Sequence, residues 1–203
     1  MMKELEQLPI PLLLWYRENA RVLPWRSDPT PYRVWISEIM LQQTRVAAVL
    51  GYYARFLETF PTVEALAAAP EERLMKLWEG LGYYSRARNL QKAARQIVEN
   101  FGGVFPNTYD EIRSLAGVGD YTAGAVASIA FGLPVPAVDG NVLRVVTRIT
   151  GDTGDITTPA VKRRITEALR QIIPTEAPGQ FNQAMMEPVS YTHLRAHETR
   201  RHL

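Results

Sequence analysis

The sequence predicts an all-α fold. Strand signals are nearly absent, and apolar residues in almost every segment recur at helical spacing. The segments are joined by short loops punctuated by proline and glycine. The densest stretch runs over 115–148. A short helix leads to the turn Gly117-Val118-Gly119, then a helix of small residues over about 121–131, a proline-punctuated connection and a helix opening at Asp139.

Composition narrows the function. A chain of 203 residues can bury a sizeable core in one domain or two small ones. A net charge of only +2 leaves no polybasic tail, so any nucleic-acid contact must come from local patches. There is no cysteine, hence no disulfide and no thiolate metal site. No run of about 18 apolar residues occurs, and the N-terminus lacks the form of a signal peptide. The expectation is a soluble, cytoplasmic protein.

In chain order, an amphipathic helix is predicted over 5–19, carrying Leu8, Leu12, Trp15 and Tyr16. Leu23-Pro24-Trp25-Arg26 reads as a loop, and the residues over 27–31 as a helix start. The next helix, YRVWISEIMLQQ, is apolar nearly all round and is expected to be buried on most faces. Glu38 lies inside it, between Val34 and Leu41. Poor solvation favours the neutral form of such a carboxyl, as a general acid near neutral pH requires. The alternative is a glutamate paired to an arginine or placed at the helix rim. Gln42, Gln43 and Thr44 end the helix with polar groups suited to a polar partner.

Helices are expected over 46–60, 63–68, 71–79, 85–100 and 109–114. Between two of them, Gly80-Leu81-Gly82-Tyr83-Tyr84 holds adjacent tyrosines, followed by Arg86, Arg88, Lys92 and Arg95. Aromatics beside arginines suit base stacking and phosphate neutralisation, although core tyrosines and a solvated basic face fit the pattern equally well. The Gly-x-Gly turn has the form of a helix-hairpin-helix motif. Free N–H groups at the start of its second helix suit a phosphate, yet many such turns only connect helices. Asp139 before Gly-Asn-Val is a good N-cap. The helix it opens, over 142–150, is expected to turn Val142, Val145, Val146 and Ile149 inward, with Arg144 and Arg148 outward. A last pair of helices follows over about 158–173 and 179–187.

Seven blocks in this order resemble the MutY-type adenine DNA glycosylases, within the helix-hairpin-helix superfamily that includes endonuclease III. They are LPWR, PYRVWISEIMLQQT, FPTVEALAAAP, LWEGLGYYSRARNL, LAGVGDYTAGAV, AVDGNV and FNQAMME. The resemblance implies two helical lobes, one over 22–135 and the other joining 1–21 to 136–187, with the DNA cleft between them. It implies that Glu38 is the catalytic acid and Asp139 the catalytic aspartate, with Asn141 orienting Asp139. Tyr121 stands where endonuclease III-like enzymes carry a Schiff-base lysine, which implies a monofunctional glycosylase. The target adenine must leave the stack. By resemblance, Tyr83 wedges into the duplex beside the orphaned 8-oxoguanine and Gln43 is a neighbouring wedge. Leu41, Gln42 and Thr44 line that surface, Trp25 and Arg26 fit the adenine pocket, and Arg86 and Arg88 meet the DNA. Gly117, Val118 and Gly119 would offer N–H groups to a phosphate, with an alkali cation at the hairpin. The implied partner is double-stranded DNA with an A:8-oxoguanine or A:G mismatch, bound by a monomer away from any membrane.

The sequence departs from the family pattern in two ways. Where the family carries a Gly-Ala stretch and the four cysteines of a [4Fe–4S] cluster, this chain reads PVSYTHLRAHETRRHL. That tail, residues 188–203, is expected to pack poorly, and His193 with His197 makes a weak case for a replacement metal site. The family's 8-oxoguanine-reading domain is also expected to be missing, which would weaken opposite-base selectivity. Three readings follow: an adenine mismatch glycosylase, an endonuclease III-like glycosylase/lyase, and an inert DNA-binding fragment.

Overall fold

The computed structural model describes residues 2–187, and every regular element among them is a helix. The expectations for residues 188–203, including the His193–His197 pair, lie outside the described residues. The chain divides into two compact units. One is Val22–Phe131; among the described residues the other joins 2–21 to 132–187. Among the described residues, no helix is long and apolar enough to cross a membrane.

The single helix expected over 5–19 is two, α1 (Met2–Glu6) and α2 (Pro9–Asn19). Pro9 has no N–H to donate, so it cannot continue a helix but suits the first position of a new one. The same preference makes a single helical turn, α3 (Pro24–Ser27), from the stretch expected as a loop.

Helix α4 (Pro31–Leu41) begins at Thr30, whose side chain accepts from the Arg33 N–H. Every residue from Val34 to Met40 is buried, as its all-round apolar pattern requires. The helix stops short of the expected Gln43, which adopts a left-handed conformation with φ 57°. Around it come α5 (Val46–Thr59), α6 (Val63–Ala68), α7 (Glu71–Trp78) and α8 (Ser85–Phe101). Helix α8 buries Ala87, Leu90, Ala94 and Ile97 at three- and four-residue spacing and packs chiefly on α6. Trp35, Phe56, Trp78 and Leu90 fill the centre, with the Phe56 ring edge-on to Phe60 and Trp78.

Helix α9 (Tyr109–Ser114) starts from a reciprocal cap: the Thr108 side chain accepts from the Glu111 N–H and donates to its carboxylate. After the Gly-x-Gly turn, α10 (Asp120–Phe131) buries Thr122 through Ser128. These residues are small, so the α10 backbone approaches α4 closely.

In the other unit, α11 (Gly140–Thr150), α12 (Pro159–Ile172) and α13 (178–187) enclose a second core with α1 and α2. Leu5, Leu12, Val142, Val146, Leu169, Phe181 and Met185 meet there. The inward stripe of α11 is Val142, Leu143 and Val146; Val145 is only half-buried and Ile149 is 41% exposed. The stripe expected from the sequence was rotated by one residue. Leu143, 5% exposed, supplies the inward area instead. Arg21 and the buried Glu187 close this unit through a two-pronged ion pair, with Nε to Oε1 at 2.5 Å and Nη2 to Oε2 at 3.2 Å.

Candidate active site

Glu38 sits on the buried face of α4, 7% exposed. The Tyr121 hydroxyl, from the first turn of α10, donates to its Oε2 at 2.9 Å. Just past the end of α4, Gln42 donates to the Thr122 hydroxyl at 3.5 Å. The close α4–α10 packing therefore carries a polar seam at the start of α10. Two opposed effects act on the carboxyl: burial disfavours its charged form, and the donated hydrogen bond favours it. The tyrosine offers an oxygen where a lysine would offer a nucleophilic amine.

Asp139 is the N-cap of α11. Its Oδ1 accepts from the backbone N–H groups of Asn141 at 2.9 Å and Val142 at 2.8 Å. Its Oδ2 accepts from the Asn141 side chain at 3.1 Å, and Arg144 donates to the Asn141 Oδ1 at 2.6 Å. The cap occupies one oxygen, and the Arg144–Asn141 chain orients the other. The connection that delivers Asp139 is held by Asn182 of α13, which is 2% exposed. Its Oδ1 accepts from the Ala137 N–H at 3.0 Å, and its Nδ2 donates to the Val135 carbonyl at 2.9 Å. Asn182 and Arg144 had no role in the sequence reading. The available signal for Asn182 was an amide between Phe181 and Ala184 on the inward side of an apolar helix.

Gln43 and Tyr83 share a conformation that side-chain-bearing residues seldom adopt, with φ 57° and 47°. Tyr83 is 61% exposed and Tyr84 is exposed beside it, so neither is a core tyrosine. Leu41, Gln42 and Thr44 are half-buried around the exposed Gln43. Arg86 is not at the surface. It is 9% exposed, and its terminal nitrogens donate to the carbonyls of Ile39, Met40, Gln42, Leu81 and Gly82. Burial lowers its basicity. The assignment of Arg86 to DNA contact is corrected on that geometry. Arg88 is exposed and paired with Glu71 at 3.1 Å. Trp25 is a core side chain, edge-on to the Tyr53 ring at 5.2 Å, and Arg26 beside it is half-buried. Burial pushes the Tyr53 hydroxyl up to about 12.

At the hairpin, Gly117 has φ 74°, and a Cβ there would lie 2.7 Å from that of Asn89, so a side chain is excluded on two grounds. Gly117 and Gly119 are exposed. Val118 is buried; its N–H donates to the Leu115 carbonyl and its own carbonyl accepts from Arg113. The Val118 N–H is therefore engaged within the turn, which corrects its expected place among the phosphate donors. The residues present do not fit a [4Fe–4S] cluster, because no cysteine thiolate exists in the chain to ligate it. Among the described residues, no group of three or more His, Asp or Glu side chains forms a metal site.

Comparison with known proteins places this geometry in a family. Residues 36–171 match the HhH-GPD superfamily of base excision DNA repair proteins, and the chain belongs to it. It is 47% identical to the adenine DNA glycosylase of Mus musculus, over 87% of this chain and 36% of that protein. The chain spans only part of such relatives, 51% of the adenine DNA glycosylase of Buchnera aphidicola subsp. Acyrthosiphon pisum and 33% of that of Arabidopsis thaliana. Among solved structures it resembles a thermostable thymine-DNA glycosylase, with a TM-score of 0.83 and 28% identity over 91% of this chain and 85% of that one. It also resembles endonuclease III trapped as a covalent intermediate with DNA, with a TM-score of 0.75 and 26% identity over 92% and 84%.

Proposed function

We propose that this chain is a monofunctional DNA N-glycosylase that removes adenine mispaired with 8-oxoguanine or guanine. The observation that carries the reading is the buried Glu38 held by Tyr121. A carboxyl out of water can keep a proton for delivery to a base, and the neighbouring position supplies no amine. Similarity to adenine DNA glycosylases supports the choice of base. In the proposed sequence, neutral Glu38 donates its proton to N7 of adenine, and the C1′–N9 bond breaks with its electrons leaving on the base. The sugar becomes an oxocarbenium-like cation, stabilised by ionised Asp139. Water adds to C1′ and gives its proton to the Glu38 carboxylate, which restores the acid and leaves an abasic site. Asn141 keeps the Asp139 Oδ2 oriented throughout. The proposed partner is duplex DNA, reached by Gln43 and Tyr83 as wedges and by Gly117 and Gly119 at a phosphate. An alkali cation at the hairpin belongs to the same proposal, and no step passes through it.

The test is single-turnover release of adenine from a duplex with one A opposite 8-oxoguanine, read by strand cleavage in hot alkali. The expected result is an alkali-labile abasic site with no DNA adduct trapped by borohydride. A trapped adduct would instead establish lyase chemistry. Binding without release would leave a DNA-binding fragment and sink the glycosylase reading.

A further inference from the structure

The glycosylase reading uses Gln43 and Tyr83 but leaves Arg86 without a part. Forty residues of chain separate the two loop tips, yet a single guanidinium bonds to both loops. Arg86 Nη1 donates to the carbonyls of Ile39, Met40 and Gln42 at 2.9, 3.0 and 2.6 Å. Ile39 and Met40 lie in the last turn of α4, where carbonyls lack helical partners and the helix end attracts a cation. Nη2 donates to the carbonyls of Leu81 and Gly82 at 3.0 and 3.2 Å, and to the Thr44 hydroxyl at 3.4 Å. The guanidinium also lies 5.4 Å from the Trp78 ring centroid and 5.6 Å from that of Tyr83. Its bonds flank Gln43 on both sides and hold the two residues before Tyr83; among the described residues, these are the two non-glycine positions with left-handed backbone.

That conformation costs free energy at any residue but glycine, and it persists only where the surroundings impose it. Here the surroundings are common to both tips. We propose that Arg86 is a positioning residue for base extrusion: its guanidinium fork locks Gln43 and Tyr83 into one rigid double wedge that enters the duplex as a unit. The proposal rests on the glycosylase reading for the purpose of the wedge. Arginine is required because its planar fork serves two sets of carbonyls in fixed directions, whereas an ammonium is a point charge on a flexible stem. Being buried, Arg86 offers its charge to the loops and not to a phosphate. Its loss should therefore impair the opening of the base pair more than cleavage of an adenine already unstacked.

The experiment compares the parent with Arg86→Met, Arg86→Lys and Glu38→Gln on two duplexes. One has adenine opposite 8-oxoguanine; the other has adenine opposite an abasic analogue, where no pairing partner holds it. A 2-aminopurine beside the target adenine reports unstacking by its fluorescence rise. Arg86→Met should slow release from the paired duplex about 100-fold, the scale expected when reacting groups are misplaced by about an ångström. It should abolish the fluorescence rise and lose far less on the unpaired adenine. Arg86→Lys should fall between, and it carries the same comparison if Arg86→Met melts below the assay temperature. Equal losses on both duplexes, an intact fluorescence rise in the variants, or no rise in the parent would overturn the clamp. Glu38→Gln should unstack the base as the parent does and release adenine at least about 100-fold more slowly. If the parent also unstacks without release, the glycosylase reading fails while the fluorescence still decides the clamp.

Discussion

Glu38 and Asp139 carry the same functional group in opposite settings. Glu38 lies mid-helix among Val34, Ile39 and Met40, and a side-chain hydroxyl meets it. Asp139 stands half-buried at a helix start, where two backbone N–H groups and an amide converge on it. At Glu38 burial and the Tyr121 hydrogen bond oppose each other, whereas at Asp139 the start of a helix brings two backbone donors and a side-chain amide to the carboxylate oxygens. A pair of carboxylates can thus be prepared for acid and anion roles by placement alone.

The largest effect that could break this contrast is at Glu38. Glu38→Gln keeps shape and burial but removes the acid proton. Single-turnover adenine release should fall about 100- to 10,000-fold, with the melting temperature little changed. Full activity in that variant would dissolve the contrast. Asp139→Asn sharpens it, because asparagine caps a helix as well as aspartate does. Release should fall about 100- to 1,000-fold while thermal stability stays near that of the parent. Asp139→Ala should lose the cap as well, costing about 1 kcal/mol in denaturant unfolding. Equal stability of the two variants would show that the cap bonds contribute nothing.

Asn182→Ala removes both bonds that fix the connection ahead of Asp139 and leaves the buried Ala137 N–H without its acceptor. A loss of about 1–3 kcal/mol is expected by urea melt, with slower release as a consequence. The smallest effect is at Arg88, whose pair with Glu71 is exposed. Arg88→Ala should change stability by under about 1 kcal/mol. If Arg88 meets a phosphate, the same variant lowers the salt dependence of duplex binding by about one unit of slope. An unchanged slope would remove it from the contact set.

Much of the helical framework was legible because its signals are local. Threonine at 30, 62, 108 and 158 marks helix starts, and each side chain accepts from an N–H three residues on. The misreadings are also local in origin. Apolar spacing across Pro9 suggested one helix where the missing N–H makes two. The basic run of Arg86, Arg88, Lys92 and Arg95 looked like one face, although α8 turns Arg86 inward and leaves the other three exposed. Spacing places a residue on a helix face, but not what the neighbouring loop offers it.

By itself the sequence determined the helical class, the caps and the blocks that carry the family resemblance, since each depends on residues a turn or two apart. The tertiary structure alone decided that Tyr121 meets Glu38 across 83 positions, and that Asn182 holds the connection to Asp139 from another helix. It alone decided that Arg86 faces two rows of carbonyls and not solvent. A buried polar group must find its partner wherever packing brings one, and local periodicity contains no record of which helices will meet.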